Sequence, residues 1–202
     1  MRADPLFMRN AYEVCGKWGI PLVKKQPLVS DNISLIAYSA TKLHDNEKNM
    51  ERGVHFFVDD YRFSGIYRNP AKSFEKLSQY AFLLTPDYSA YADMNPWLQL
   101  ESVAHSRWCG AYWQSLGLIV YPTITWSTSV SFEFCFDGVM PGSIVAVSVL
   151  GCTAGKRAFL YGYFAMLKRL QPEAIICLGN PFSEMKGNLI VVDSRASRKA
   201  VR

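Results

Sequence analysis

The sequence predicts an α/β domain with a largely parallel sheet, read as a small, abbreviated (β/α)8-like barrel; a five- or six-stranded doubly wound sheet is the alternative. Three observations lead there. Short apolar, β-branched runs recur along the chain, each ending in small polar residues and followed by a helical pattern. The strong runs are apolar on both faces rather than alternating, as strands covered by helices on each side are. Counting the weaker runs gives eight strands within 202 residues, a length at the lower end for a closed barrel.

In chain order, a helix is expected over Leu6–Trp18, then weak strands at Ile20–Val23 and Ile33–Tyr38. The polar stretch His44–Arg52 reads as a short helix or loop. Val54–Val58 (VHFFV) is the first strong strand and runs into DDYRF. Asn69-Pro70 supplies an N-cap and first position for a helix that turns Phe74 and Leu77 inward. Ala81–Leu84 (AFLL) ends in TPDYS. Asn95-Pro96 then opens a longer helix, with Trp97, Leu100, Ala104, Trp108, Ala111 and Tyr112 at helical spacing and Gly117 past its end. Leu118–Val120 leads into YPTITW, and Ile144–Val149 into LGC. A third helix, from about Lys156 to Leu170, buries Phe159, Tyr163 and Leu167 and stops ahead of Pro172. Ala174–Leu178 precedes GNP, and Leu189–Val192 is the last, weak strand. The first two and last two strands are joined by links too short for crossover helices, hence an abbreviated barrel.

Composition is that of a folded domain: half the residues are apolar and 14% are aromatic. One α/β domain is expected over residues 1–193. The amino terminus lacks the apolar stretch of a secretory signal, and no apolar run approaches the ~18 residues of a membrane span, so a cytoplasmic protein without membrane partners is expected. The cysteines at 15, 109, 135, 152 and 177 show no CxxC pairing, and His44, His55 and His105 have no i,i+4 partner, so no metal site is signalled. The net charge is +5, but Arg195, Arg198, Lys199 and Arg202 supply four of those charges. Residues 194–202 thus read as a solvated basic tail, with nucleic acid as its only implied partner.

Strand-helix alternation places ligand sites at the carboxyl ends of parallel strands. Asp59, Asp60 and Arg62 follow one strand; Asp87, Tyr88, Ser89, Tyr91 and Asp93 follow the next. Thr123, Thr125 and Trp126 follow another, and Ser148 and Cys152 close the run from Ile144. The adjacent pair Asp59-Asp60 is the most unusual feature and the candidate acid or base, or a magnesium ligand. Strand alternation lets only one of the two face the mouth. Arg62 would fix a phosphate, and Asp87 and Ser89 other polar groups. Tyr88, Tyr91 or Trp126 would stack on a ring, and Ser148 adds a hydroxyl. Gly151–Arg157 has the position of a phosphate loop but not its spacing; Lys156 at that helix start could still meet an anion. Arg107 is expected to pair locally, and Cys152 lacks a histidine to activate it.

The stretches FFVDDYRF, PDYSAYADM, RWCGAYWQSLGLIVYPTITW, SFEFCFDG and IVAVSVLG together resemble an uncharacterised family, a domain of unknown function found in phages, plasmids and integrated elements of Gram-positive bacteria. The resemblance spans roughly residues 50–192. It departs at Asp93-Met94-Asn95-Pro96, where relatives read Asp-Met-Pro, and at Val149, where relatives carry threonine. It implies a mobile-element setting and brings no activity.

Two functions follow as expectations. The first is binding, with or without cleavage, of a phosphate-bearing or nucleotide-like ligand at the strand ends, for example a host nucleotide signal. The second is a nucleic-acid-associated accessory role in an element's replication module, resting on the basic tail. No cofactor is specified.

Overall fold

A computed structural model describes residues 11–30, 32–198 and 200. Strands β1 (Val14–Cys15) and β2 (Ile20–Pro21) form an antiparallel hairpin. Its turn uses Gly16 and Gly19 at φ +71° and +63°, a conformation that suits glycine. The helix expected over Leu6–Trp18 is therefore corrected for residues 11–18; its first residues lie outside the described ones. The turn glycines and the pairing of Val14 with Pro21 override the helical apolar spacing.

Among the described residues, seven further strands are all parallel. A four-stranded sheet runs in the order β3 (Leu35–Ala37), β4 (Gly53–His55), β5 (Phe82–Leu84), β6 (Val120–Tyr121). A three-stranded sheet follows in the order β7 (Val145–Ser148), β8 (Ile175–Leu178), β9 (Leu189–Val192). The chain past β6 joins the two sheets through a parallel bridge between Thr123 and Ala146. Ile124 N donates to Ala146 O at 2.8 Å and Ala146 N to Pro122 O at 2.9 Å. Ile20–Val23, expected as the first strand of the series, contributes only β2 and a single bridge from Val23 to Val139.

The helices are α1 (Glu47–Met50), α2 (Gly65–Arg68), α3 (Pro70–Leu77), α4 (Pro96–Ser115), α5 (Lys156–Leu170) and α6 (Ser194–Ser197). Asn69-Pro70 and Asn95-Pro96 start α3 and α4, proline filling a position whose N–H has no helical acceptor, although neither asparagine side chain makes a capping hydrogen bond. Between β6 and β7 there is only a 3-10 turn at Ser129–Glu133, and among the described residues no helix joins β8 to β9.

Alternate strand residues sort into separate clusters. Ile36, Val54, Leu83 and Val120 pack on Trp108, Cys109 and Trp113 of α4. Val145, Val147, Ile175 and Cys177 pack on Tyr163, Met166 and Leu170 of α5. The opposite face gathers Leu35, Phe82, Leu84, Tyr121, Ala146, Ile176, Leu178 and Val192 into one cluster drawn from both sheets. Gly53 makes room for that inner packing: a Cβ there would lie 2.1 Å from the ring of Phe82, its register partner.

Buried Arg107 of α4 organises the strand ends. Its guanidinium donates to Thr123 O at 2.7 Å and to Asp137 O and Cys135 O, both at 3.1 Å. These acceptors are far along the chain, so the local pairing expected for Arg107 is replaced by a hub between segments. Beside it, Ser106 and Thr123 both bond to Thr85, at the end of β5. Burial lowers the Arg107 pKa only to about 10, so it stays charged at neutral pH.

Candidate functional site at the strand ends

The segments after β4, β5, β6 and β7 open on one cavity of about 560 Å³. Phe57–Asp60 come from the first, Asp87 and Ser89–Tyr91 from the second. Ile124–Trp126 come from the third, and Ser148 with Leu150–Cys152 from the fourth. Phe159 of α5 and Arg198, just past α6, complete the wall. This is the carboxyl-terminal side of the parallel strands, where successive loops converge.

One wall is acidic and pre-set. Asp60 begins a 3-10 turn and reaches across to the next loop. Ser89 N donates to its Oδ2 and Ser89 Oγ to its Oδ1, both at 3.0 Å. Tyr91 OH lies 3.1 Å from Ser89 Oγ and extends the chain of hydroxyls toward solvent. Asp87 accepts a hydrogen bond from Thr125 Oγ1. Burial, with a smaller push from the charge of Asp60, raises its carboxyl to about 6, against the Thr125 hydrogen bond and Arg107. Asp87 thus changes protonation near neutrality, as an acid or base in a cleft must.

The other wall is aromatic. The Trp126 ring packs against Gly162, where a Cβ would fall 2.1 Å from it, and meets the Phe159 ring at 5.0 Å. Trp126 is thereby half-buried, yet still lines the cavity.

Of the residues singled out in the sequence, Asp59, Asp60, Asp87, Ser89, Tyr91, Trp126 and Ser148 line this cavity. Both aspartates of the pair do so. The alternation rule does not apply to them, because β4 ends at His55 and Asp60 already belongs to a 3-10 turn. Arg62, Tyr88 and Lys156 lie elsewhere, and Asp93 and Thr123 do not line the cavity either. Arg62 is held by Asp59 at 3.4 Å and sits 5.1 Å from the Tyr61 ring. Tyr88 turns into the core, its ring 5.2 Å from Phe63 and 5.8 Å from His105, and burial raises its hydroxyl pKa strongly. Lys156 pairs with Glu184 at 2.8 Å. Cys152 does line the cavity, but burial raises its thiol, which points to carbonyls of Ser148 and Leu150; it is not poised as a nucleophile.

Sequence reading missed Phe57, Phe159 and Arg198. Phe57 and Phe159 look like ordinary core residues, and the alternation of β4 extended one residue pair could have exposed the first. Arg198 sits in a stretch whose charge suggested a solvated tail. Instead Asp193 caps α6 by accepting from Arg195 N at 2.8 Å, and α6 packs against β3. Among the described residues no group of three or more His, Cys, Asp or Glu is placed to hold a metal ion, and no helix is long and apolar enough to cross a membrane. A second, shallower groove lies on the outer side of α5, lined by Arg157, Leu160, Tyr161 and Phe164 among others, without a carboxylate.

Residues 12–195 match the domain of unknown function DUF4417. The chain belongs to this family. Two relatives are phage proteins, each called Gene 1 protein. That of Mycobacterium phage L5 is 36% identical over 179 residues, covering 87% of this chain and 77% of the relative. That of Mycobacterium phage D29 is 34% identical over 179 residues, covering 87% of this chain and 66% of the relative. No solved structure matches the DUF4417 chain. The family membership therefore brings a phage connection, and the chemistry rests on the cavity.

Proposed function

We propose that this DUF4417 protein binds a small phosphate-bearing, nucleotide-like molecule in the strand-end cavity. The observation that carries the reading is the joint lining of one cavity by carboxylates, hydroxyls and aromatic rings from successive strand ends. Its volume, about 560 Å³, falls within the range of small-molecule sites. Asp60, held in place by both donors of Ser89, keeps lone pairs free to accept from sugar hydroxyls, and Trp126 and Tyr91 offer faces for a base. In a phage setting, a host nucleotide signal in the bacterial cytoplasm is one concrete ligand. Asp87 favours a second, compatible reading: a carboxyl with a pKa of about 6, facing the same cavity as Asp60, is suited to donating or accepting a proton during cleavage. Asp60, rather than exposed Asp59, would then be its partner.

We infer in addition that the parallel strands curl into an abbreviated barrel. The single inner cluster that unites Leu35 with Val192, the first and last strands of the series, supports it, as does α6 resting on β3. The nucleic-acid reading is weaker, because it relied on a free tail and Arg198 belongs to the cavity wall.

A thermal-shift screen with mixed nucleosides and nucleotides tests the proposal. It predicts a rise in unfolding temperature for the wild type that is lost in Asp60→Ala and reduced in Trp126→Ala. No shift with any mixture, or shifts unchanged in both variants, would refute it.

A further inference from the structure

The charge of the cavity narrows what it can take. Asp59, Asp60 and Asp87 all line it, whereas Arg198 is the one cation among its described lining residues. Asp59 is mostly exposed and already meets Arg62. Lys156, the other cation expected to meet a phosphate, is held by Glu184. Arg198 makes no ion pair with any described residue.

The position of Arg198 is built by the fold. Arg52, itself buried, donates to Leu35 O in β3 and, at 2.9 Å, to Ala196 O in α6. Ser197 is buried against the body. A guanidinium thus clips the last helix to the first parallel strand, and the next residue along is Arg198. Close enough to feel the charges of Arg52 and Arg198 lies the His55 imidazole, fully buried at the end of β4. Its Nδ1 accepts from Phe57 N at 3.2 Å, and its Nε2 has no partner among the described residues. The described cavity lining thus carries one cation, Arg198, against three carboxylates, those of Asp59, Asp60 and Asp87.

We propose that Arg198 receives the anionic group of the ligand, making α6 part of the binding site, and that the ligand carries a single phosphate. This rests on reading the cavity as a nucleotide-like site. A planar guanidinium matches a phosphate with two parallel hydrogen bonds. The sugar hydroxyls then face Asp60 and Asp87, and the base faces Trp126. A triphosphate would push its additional charges toward the carboxylates, which disfavours it.

Isothermal titration of the full chain with the four common ribonucleosides, their 5′-monophosphates and their 5′-triphosphates tests this. The preferred monophosphate is expected to bind roughly 10- to 100-fold more tightly than its nucleoside, the range of a charge-assisted hydrogen-bond pair. It should also bind more tightly than the triphosphate. Arg198→Gln should bring the monophosphate to within about twofold of the nucleoside while leaving nucleoside affinity unchanged, and Arg198→Lys should keep part of the preference. A phosphate preference that survives Arg198→Gln overturns this inference and leaves the cavity reading standing, and a preferred triphosphate overturns the single-phosphate claim. Absence of binding by every nucleoside and nucleotide overturns both.

Discussion

Replacing Asp87 with asparagine should make the protein more stable at neutral pH, although the residue is hydrogen-bonded and lines the candidate site. Burial holds the Asp87 carboxyl at about 6. In the unfolded chain an aspartate titrates near 3.9, so the difference of about two units corresponds to roughly 3 kcal/mol against folding once the group is ionised in both states. The folded pKa is raised, so the native state holds its proton more tightly. The penalty is absent below about pH 4, grows as pH rises from about 4 to 6, and is full above about 6. Asparagine removes the charge and can keep a hydrogen bond with Thr125. Allowing for a weaker, neutral hydrogen bond, a net gain of about 1–2 kcal/mol is expected at pH 8. For a chain of this length that is about 2–8 °C in unfolding temperature. Urea unfolding of both proteins from pH 4 to 8 is the assay. The two curves should converge near pH 4 and separate in favour of Asp87→Asn as pH rises. A variant less stable than wild type at pH 8, or a difference independent of pH, would refute the reasoning.

Other consequences follow from the supporting structure. Arg107→Met removes the donors of three buried carbonyls, those of Thr123, Cys135 and Asp137. A loss of at least about 3 kcal/mol in denaturant unfolding is expected, and less than about 1 kcal/mol would contradict the hub role. Gly162→Ala places a methyl 2.1 Å from the Trp126 ring and must displace it. It should cost about 1–3 kcal/mol, shift tryptophan fluorescence and weaken ligand binding; an unchanged spectrum would count against the packing described. His55 is lowered to about 3, mainly by burial and then by the charges of Arg52 and Arg198. Its contribution is full above about pH 6.5 and falls by roughly 1.4 kcal/mol per unit as pH drops toward 3. The stability of His55→Gln should therefore vary less with acid between about pH 6.5 and 4, measured by urea midpoints. An equal slope in the two proteins would rule that out.

The parallel strands were legible because burial on both faces leaves a continuous apolar run. AFLL, IVAVSV and AIICL each enclose an observed strand, and Leu189–Val192 matches one end to end. Helix starts were legible where Asn-Pro marks them, at α3 and α4. The amino-terminal hairpin was not, since Val14 and Cys15 fit a helical stripe equally well and only tertiary pairing with Ile20–Pro21 decides. At the strand ends, the loops after β4 and β5 could be named from their carboxylates and hydroxyls. Side-chain direction beyond the strands could not, which is why Tyr88 was grouped with Tyr91 although one turns into the core and the other toward solvent. Arg198 was hidden for a different reason. Its place depends on Arg52 reaching from α1's end to α6, a contact between residues 144 positions apart.

Backbone-amide NMR during titration with a nucleoside 5′-monophosphate tests the central claim most directly. The account predicts shifts concentrated in the segments 57–60, 87–91, 124–126 and 148–152, with Arg198 among them. Shifts confined to the outer side of α5 around Tyr161 and Phe164, or none at saturating ligand, would contradict it.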